Sequence, residues 1–274
     1  MLFLFSIGLF VGSFLNVIID RLPRKETIFK GRSHCESCKK ELAWYDLIPL
    51  LSFLMLKGKC RYCRAKLSFF YPTIEFSTGI LFALIYAFVN FQFSIFNFQS
   101  INQFLIPNSS IINQQSLISL AYYLFIVSSF IVVFFSDLKY GIIPDKVVFP
   151  AIILSLSYSL IINPQSLIIN LISGLGAFVF FLILFLITRG KGMGFGDVKL
   201  AFLLGLILGF PKIILALYLA FLTGAILGII LILWKKKKSI KETIPFGPFL
   251  IIGSLAALFW GELIIPQAIL FLGF

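Results

Sequence analysis

The sequence predicts an all-α polytopic membrane protein with about eight transmembrane helices and a small cytosolic zinc-ribbon-like module. Of its 274 residues, 60% are hydrophobic and only 12% are charged, whereas soluble domains are about 45 to 50% apolar and about 25% charged. Several uncharged apolar runs approach the ~20 residues that a helix needs to cross about 30 Å of hydrocarbon. All four cysteines lie in the one substantial hydrophilic segment.

The candidate spans follow one another along almost the whole chain. The first, Leu2 to Ile19, has no Lys, Arg, Asp or Glu, and basic residues follow it rather than precede it. A secretory signal peptide has the opposite order, so we expect this helix to be retained. The other spans cover roughly residues 73–90, 117–136, 147–163, 167–187, 199–210, 213–234 and 246–262. The sixth is short and the eighth opens with a proline- and glycine-containing turn, so either is also compatible with a re-entrant segment.

The net charge of +12 is distributed unevenly. With eight spans and the N-terminus outside, the cytosolic segments hold 22 of the 23 basic residues, and only Lys212 falls outside them. The positive-inside rule favours this orientation. The basic run Lys235–Lys238 directly follows an apolar helix, so anionic lipid, and not nucleic acid, is the partner that it favours. These cytosolic segments are residues 20–72, 137–146, 188–199 and 235–245.

These observations predict the domain organisation. The uncharged segment Phe91–Ser116 is rich in Asn, Gln and Ser, and it fits a loop on the outer side. The predicted regions are a first transmembrane helix (1–19), a cytosolic cysteine module (20–72), a second transmembrane helix with its outer loop (73–116) and a membrane-embedded core (117–274).

The cysteines form two C-x2-C pairs, Cys35 with Cys38 and Cys60 with Cys63, separated by 21 residues. Two such pairs allow four thiolates to surround one zinc ion tetrahedrally. The predicted cytosolic location disfavours disulfides, and four protein ligands leave no coordination position for a substrate, so the ion would be structural. Free thiols or a redox pair are the alternatives, and His34 is a competing ligand. The apolar segment Trp44–Leu54 between the pairs is too short to span, and we expect it to pack the module against the membrane face.

Two carboxylates reach the same side of the membrane from distant parts of the sequence. Asp137 ends the third span, and Asp197 begins the sixth after a run containing Gly192, Gly194 and Gly196. An ionisable group at the end of a span indicates a functional site, and two close carboxylates that share a proton can perform aspartyl proteolysis. The structural alternatives are helix capping by Asp197 and an ion pair between Asp137 and Lys139. Asp145, which follows Ile143-Pro144, is either another cap or a third candidate for the pair.

Other catalytic arrangements are disfavoured by the residues available. His34 is the only histidine, so a Ser-His-Asp or Cys-His site is not expected. The glycine run around Gly194 has no surrounding parallel-sheet unit, so it does not indicate a phosphate-binding loop.

Four stretches of the chain resemble bacterial type IV prepilin peptidases, a family of GxGD-type aspartyl proteases that also act as N-methyltransferases. The first stretch is Gly8–Pro23, and the second is Cys35–Glu75. The third comprises Asp137-Leu138 with Ile143-Pro144-Asp145, followed by Gly194–Leu200, and the fourth is Pro245-Phe246-Gly247-Pro248. They occur in the family's order and cover almost the whole chain.

The resemblance implies a site, a reaction and a location. Asp137 and Asp197 would cleave the basic leaders of type IV prepilins or type II secretion pseudopilins, and Asp145 would support them. S-adenosylmethionine would then donate a methyl group to the new N-terminal amine, and the four cysteines would hold structural zinc. Glu75, at the entry of the second span, is a candidate contact for the amine or the methyl donor, although it is equally compatible with a structural ion pair. The location would be the bacterial inner membrane, with the active site at the cytosolic face.

Two alternatives remain at this point. One is a peptidase without methyl transfer, which the complete cysteine module disfavours, because related archaeal preflagellin peptidases resemble the core without this module. The other is a non-catalytic transporter or assembly scaffold in which the aspartates cap helices or relay protons.

Overall fold

The computed structural model describes residues 1–24, 26–27, 32–35, 37–101, 109–190, 192–234 and 245–271. Within these ranges it contains helices and two isolated β-bridges and no β-strand, as the predicted all-α class requires. The helices are α1 (Leu2–Arg21), α2 (Leu51–Met55), α3 (Phe70–Ile101), α4 (Ser109–Tyr140), α5 (Asp145–Ile162), α6 (Pro164–Ile187), α7 (Phe195–Leu208), α8 (Lys212–Trp234) and α9 (Gly247–Phe271), with a short 3-10 helix at Trp44–Leu47. The basic run Lys235–Lys238 lies outside the described ranges.

Seven of these helices are long and apolar enough to cross a membrane: α1, α3, α4, α5, α6, α8 and α9. The eighth predicted span corresponds to α9, which is one continuous helix of 25 residues. The sixth corresponds to α7, which has only 14 residues and is therefore about 21 Å long at 1.5 Å per residue. The sequence prediction thus holds for seven spans, and the short sixth segment is a helix that does not reach the usual spanning length.

The chain forms two compact units, residues Met1–Val132 and Val133–Phe274, and α4 contributes to both. In the first unit α1 packs against α3 through small residues. A Cβ atom on Gly8 would lie 2.8 Å from the Cα of Gly79, and one on Gly12 would lie 2.7 Å from the Cα of Glu75. Such close backbone approach is how helices associate where lipid removes the hydrophobic advantage of burial.

The segment between the cysteine pairs is attached to these two spans. The Ser13 hydroxyl on α1 donates to the Leu47 carbonyl at 3.5 Å, and the Leu50 amide donates to a carboxylate oxygen of Glu75 on α3 at 2.9 Å. The side chains of Trp44 and Met55 are 78% and 82% exposed. The segment therefore lies against α1 and α3 and presents exposed apolar side chains.

The predicted outer loop Phe91–Ser116 is wrong at both ends. Helix α3 continues to Ile101 and α4 already begins at Ser109, while residues 102–108 lie outside the described ranges. The reason is that Asn, Gln and Ser lower helix propensity by only a few tenths of a kcal/mol each, so helices that leave the apolar core can continue through polar residues.

In the second unit α7 is the central helix and packs against α5, α6, α8 and α9. Nine of its 14 residues are buried. A Cβ atom on Gly205 of α7 would lie 2.5 Å from the Cα of Gly174 on α6, so the two helices touch through their backbones. Because α7 is enclosed by protein along its length, it can be short without exposing its ends to hydrocarbon.

Candidate functional site

Asp137 lies in the last turn of α4 and is buried. Its Oδ2 atom accepts a hydrogen bond of 2.9 Å from the amide of Gly247, the first residue of α9. A Cβ atom at residue 247 would lie 2.6 Å from the same oxygen. The C-terminus of α4 and the N-terminus of α9 thus meet at this carboxylate, and only glycine leaves room for it.

Asp197 is the third residue of α7 and is also buried. Its Oδ2 atom accepts a hydrogen bond of 3.1 Å from the amide of Gly194, and Gly194 is the N-cap of the helix. The predicted capping role is therefore correct in kind but occurs at the third helical position rather than at the N-cap. Its Oδ1 atom is buried and has no hydrogen-bond partner within the described ranges, so the cap uses only half of the carboxylate.

The structure buries both predicted aspartates in the second unit, one near the end of α4 and the other at the start of α7. A negative charge on Asp137 acts unfavourably on a negative charge on Asp197, and their helix ends belong to one unit in which α7 packs against α9. Two buried carboxylates in such an arrangement are most stable when they hold one proton between them. The arrangement is chemically suited to general acid and general base catalysis.

Asp145, the third candidate, forms an ion pair. Its Oδ1 atom lies 2.6 Å from Nζ of Lys199, and this pair links the N-terminus of α5 to the second turn of α7. The Lys199 ammonium also lies 5.2 Å from the ring centroid of Phe195. Asp145 is thus placed beside the helix end that carries Asp197, which fits support of that helix end.

Two residues of this region had no predicted role. The Gly247 amide that binds Asp137 is a backbone group 110 residues away from it, and no side-chain pattern reveals such a donor. Lys199 follows Asp197 by two residues, and its partner Asp145 is 54 residues away. Both fall within stretches that carry the family resemblance, which is the only signal in the sequence that could have indicated them.

Glu75 lies in the first unit, in the second turn of α3, and is buried. It accepts a hydrogen bond of 2.9 Å from the Leu50 amide. Asn16, one turn further along α1, donates to the Tyr71 carbonyl at 3.3 Å. The Asn16 Oδ1 atom is buried and has no hydrogen-bond partner among the described residues. The unit therefore contains a buried acceptor-rich cluster that suits a cationic group.

The four predicted metal ligands come together in the first unit. One sulfur atom from each of Cys35, Cys38, Cys60 and Cys63 lies within 4.8 Å of the others. The Cys35 and Cys63 sulfurs are 3.8 Å apart, and a tetrahedral zinc ion with bonds of about 2.3 Å requires sulfurs about 3.8 Å apart. His34, the competing candidate, does not belong to the cluster found among the described residues.

The two cysteine pairs adopt the same local structure 25 residues apart in the chain. The Cys35 amide donates to the Lys40 carbonyl at 3.0 Å, and the Cys60 amide donates to the Ala65 carbonyl at 2.9 Å. The residues at the matching positions Lys39 and Arg64 both have positive φ angles, 58° and 57°. Each pair is therefore a preformed turn that directs two thiols towards the same point.

The protonation of these thiols also favours a cation. A hydrogen bond from the backbone of Cys38 is the main cause that lowers the pKa of Cys35 to about 7. A backbone hydrogen bond from Ala65 acts in the same direction on Cys63, but desolvation and the neighbouring thiols together raise the pKa of Cys63 to about 11. Four thiolates at this spacing are stable together only around a positive ion, so the donor set fits zinc.

Comparison with known proteins identifies the family. The model described as Bacterial Peptidase A24 N-terminal domain matches residues 6–89, and the model described as Type IV leader peptidase family matches residues 124–229. A Stutzerimonas stutzeri protein named prepilin leader peptidase/N-methyltransferase is 32% identical, with coverage of 93% of this chain and 89% of the relative. The chain belongs to the type IV leader peptidase family. Two further relatives have the same name. The Legionella pneumophila protein is 33% identical, with coverage of 94% of this chain and 92% of the relative. The Bacillus subtilis strain 168 protein is 30% identical, with coverage of 96% of this chain and 95% of the relative.

The matched ranges divide the candidate residues between the two family models. The four cysteines and Glu75 lie within the range of the N-terminal domain, and Asp137, Asp145 and Asp197 lie within that of the leader peptidase family. Gly247 lies outside both. No solved structure was found to match the chain. With its seven long apolar helices, this member of the family is a multi-pass membrane protein.

Proposed function

We propose that this chain is an inner-membrane aspartyl endopeptidase that removes the basic leader from type IV prepilins or pseudopilins. It then N-methylates the new N-terminal residue with S-adenosylmethionine. The observation that supports the proposal is that Asp137 and Asp197 are two buried carboxylates of the same unit, at the end of α4 and the start of α7. Proteins that share 30 to 33% identity with the chain over most of its length are named for both activities.

The two aspartates would divide the hydrolytic chemistry between them. One carboxylate is charged and takes a proton from water as the water oxygen attacks the peptide carbonyl carbon. The other carboxyl group donates its proton to the carbonyl oxygen and so stabilises the developing negative charge. When the tetrahedral intermediate collapses, the carbon–nitrogen bond breaks and the leaving amine accepts a proton. The unpartnered Oδ1 of Asp197 is available for these transfers, while Oδ2 remains bound to the Gly194 amide.

The substrate's chemistry suits a site at the cytosolic membrane face. A short basic leader is followed by an apolar helix, so the bond between them rests where hydrocarbon meets the cytosol. We assign Asp137 and Asp197 to that face, with the N-terminus of the chain outside, because 22 of the 23 basic residues then lie inside. The basic residues of the cytosolic segments would hold anionic lipid.

Glu75 is the residue that we assign to the transferase half. The nitrogen of the new N-terminal amine would bond to the methyl carbon of S-adenosylmethionine as the carbon–sulfur bond breaks. The sulfur would leave as a neutral thioether, in S-adenosylhomocysteine, and the proton released by the amine would pass to water. A buried carboxylate favours a neighbouring cation, and the Leu50 amide holds Glu75 in place. The unpartnered Asn16 Oδ1 offers a second acceptor for the same group.

Structural zinc is the metal that we assign to Cys35, Cys38, Cys60 and Cys63. When bound, the ion would cross-link the two turns and so stabilise the module, without contributing a coordination position for a substrate. Purified protein should contain about one zinc ion per chain. A preparation made without chelators that contains no zinc would exclude this assignment.

The decisive experiment combines cleavage and methylation in one assay. The wild-type chain and the variants Asp137→Asn and Asp197→Asn are reconstituted in liposomes with a leader-bearing prepilin and labelled S-adenosylmethionine. Loss of a general acid or base lowers the rate by about 10²- to 10⁴-fold, so the cleavage rate of each variant should fall by at least about 10²-fold. Glu262→Gln is the control, because Glu262 pairs with Lys212 between α8 and α9.

The outcomes separate the alternatives. Cleavage that persists in both aspartate variants would exclude the dyad and favour a scaffold or transporter. Cleavage without incorporation of label would indicate a peptidase without methyl transfer. A Glu75→Gln variant that cleaves normally but no longer incorporates label would support the transferase assignment, and unchanged labelling would contradict it.

A further inference from the structure

A groove in the second unit runs between α6 and α8, with a volume of about 730 Å³. On α6 its lining residues extend from Ile169 to Phe180, which corresponds to about 17 Å along the helix axis. The lining is apolar except for Ser173 and Tyr218. Helix α6 packs on α7 and α8 packs on α9, so the groove separates two packed helix pairs of the same unit.

Small residues on the α6 side keep the groove open. Gly176 is exposed, and a Cβ atom added to it would meet no atom within 4 Å. By contrast, a Cβ atom on Gly174 would lie 3.1 Å from the Phe202 carbonyl oxygen on α7. Packing within the chain therefore explains Gly174 but not Gly176. Together with Ser173 and Ala177, Gly176 provides the small surface on which a further helix can approach closely within a membrane.

An aromatic cluster connects this groove to the aspartate site. Phe221 lines the groove, and its ring centroid lies 5.1 Å from that of Phe246. Phe181 contacts both rings, at 6.1 and 6.2 Å. Phe246 precedes Gly247, whose amide binds Asp137. A residue that lines the groove thus contacts the residue directly before the donor to a proposed catalytic carboxylate.

These features identify the kind of molecule that fits the groove. Lipid chains fill apolar clefts anywhere on a membrane protein and need no continuity with a reaction centre. An apolar helix that begins at the aspartates and crosses the bilayer needs both an apolar path away from them and small residues for close approach. The α6–α8 groove provides both, and its Phe221 contacts Phe246, the residue before the Gly247 amide that binds Asp137.

We propose that the α6–α8 groove binds the apolar transmembrane helix that follows the scissile bond of the substrate. This proposal rests on the proposed peptidase function and adds how the bond is selected. A helix held along about 17 Å of groove cannot slide freely, so its first residues lie at a fixed height relative to Asp137 and Asp197. Shape and packing, and not a side-chain pocket alone, would then place one bond at the carboxylates.

The first test fills the groove with a side chain. Gly176→Leu places an isobutyl group where the substrate helix would approach, and Gly228→Leu on α8 is the matched control, because a Cβ atom there also meets nothing within 4 Å. Two substrates are compared: a full-length precursor and a short peptide that ends a few residues after the scissile bond. The quantity to compare is kcat/KM for the precursor divided by kcat/KM for the peptide. In Gly176→Leu this ratio should fall at least tenfold below the wild-type ratio, and in Gly228→Leu it should stay within twofold of the wild-type ratio. A ratio unchanged in Gly176→Leu would overturn the proposal.

The second test does not depend on the folding of a groove variant. A photo-cross-linking residue replaces Ile172 inside the groove or Ile229 on α8 outside it, each in the Asp197→Asn background to keep the precursor intact. Cross-links to the precursor's apolar helix from position 172 but not from 229 are expected, whereas cross-links from 172 to lipid alone would overturn the proposal. If the aspartate variants abolish cleavage and both groove tests fail, only the groove proposal is wrong. If the aspartate variants still cleave, the proposed function itself is wrong.

Discussion

Replacing Gly247 with alanine tests whether the geometry around Asp137 matters for catalysis. The added Cβ atom would lie 2.6 Å from Oδ2 of Asp137 and 3.2 Å from its Cγ. A carbon and an oxygen atom in van der Waals contact need a separation of about 3.3 Å, so the carboxylate has to move by roughly 0.7 Å. The same movement lengthens the 2.9 Å hydrogen bond from the residue 247 amide.

The expected loss follows from the size of this displacement. A misplacement of about 1 Å can cost about 10²-fold in rate, and hydrogen bonds to charged groups are worth about 1.5 to 3 kcal/mol. We therefore expect kcat for prepilin cleavage to fall by about 10- to 100-fold, with KM little changed because the substrate contacts remain.

The measurement compares steady-state cleavage by wild type, Gly247→Ala and Gly224→Ala. Gly224 is a suitable control because a Cβ atom there would make only ordinary contacts, the nearest at 3.5 Å. Thermal unfolding of each protein in detergent shows whether the fold is retained. If Gly247→Ala folds normally and cleaves within twofold of wild type, the position of the Asp137 carboxylate is not critical and the reasoning from this contact fails.

Three further predictions concern stability, metal and support of the site. Gly205→Ala should destabilise the second unit by about 1 to 3 kcal/mol, since its Cβ atom would lie 2.5 Å from the Cα of Gly174; a melting temperature equal to that of wild type would contradict this. Cys60→Ser should reduce bound zinc, measured by elemental analysis, to less than half of the wild-type amount, and full retention would argue against four-thiolate coordination. Lys199→Asp should reduce cleavage several-fold, and the double variant with Asp145→Lys should recover part of it; no recovery would show that the 2.6 Å ion pair is not what positions α7.

Much of the fold could be predicted because helices that cross a bilayer require long, uncharged apolar runs, which are visible in the sequence. Uncharged runs of spanning length indicated seven helices that the structure contains. The limits of those helices were harder to predict, since polar residues such as those in 91–101 can continue a helix after it leaves the membrane. The short α7 departs from the usual spanning length because its surroundings are protein rather than lipid, and that depends on contacts with other helices.

In the candidate site, too, some features could be predicted from the sequence and others could not. Asp137, Asp197 and the four cysteines could be selected from the sequence because charged groups are rare beside a membrane and thiols at this spacing are specific for metal. The Gly247 amide could not, because a backbone donor has no chemical signature in a sequence. The orientation of each carboxylate was equally hidden: Asp197 uses one oxygen as a helix cap and leaves the other free, and no spacing rule reports that difference.

The length of α7 has a consequence for how water, the second reactant in peptide hydrolysis, reaches the aspartates. At about 21 Å the helix is roughly 9 Å shorter than the hydrocarbon layer, and protein surrounds it, so at least one of its ends lies inside the protein below the surface of that layer. Hydrolysis consumes one water molecule per bond, and hydrocarbon holds almost none. Water must therefore reach Asp197, in the first turn of α7, through the protein rather than through lipid.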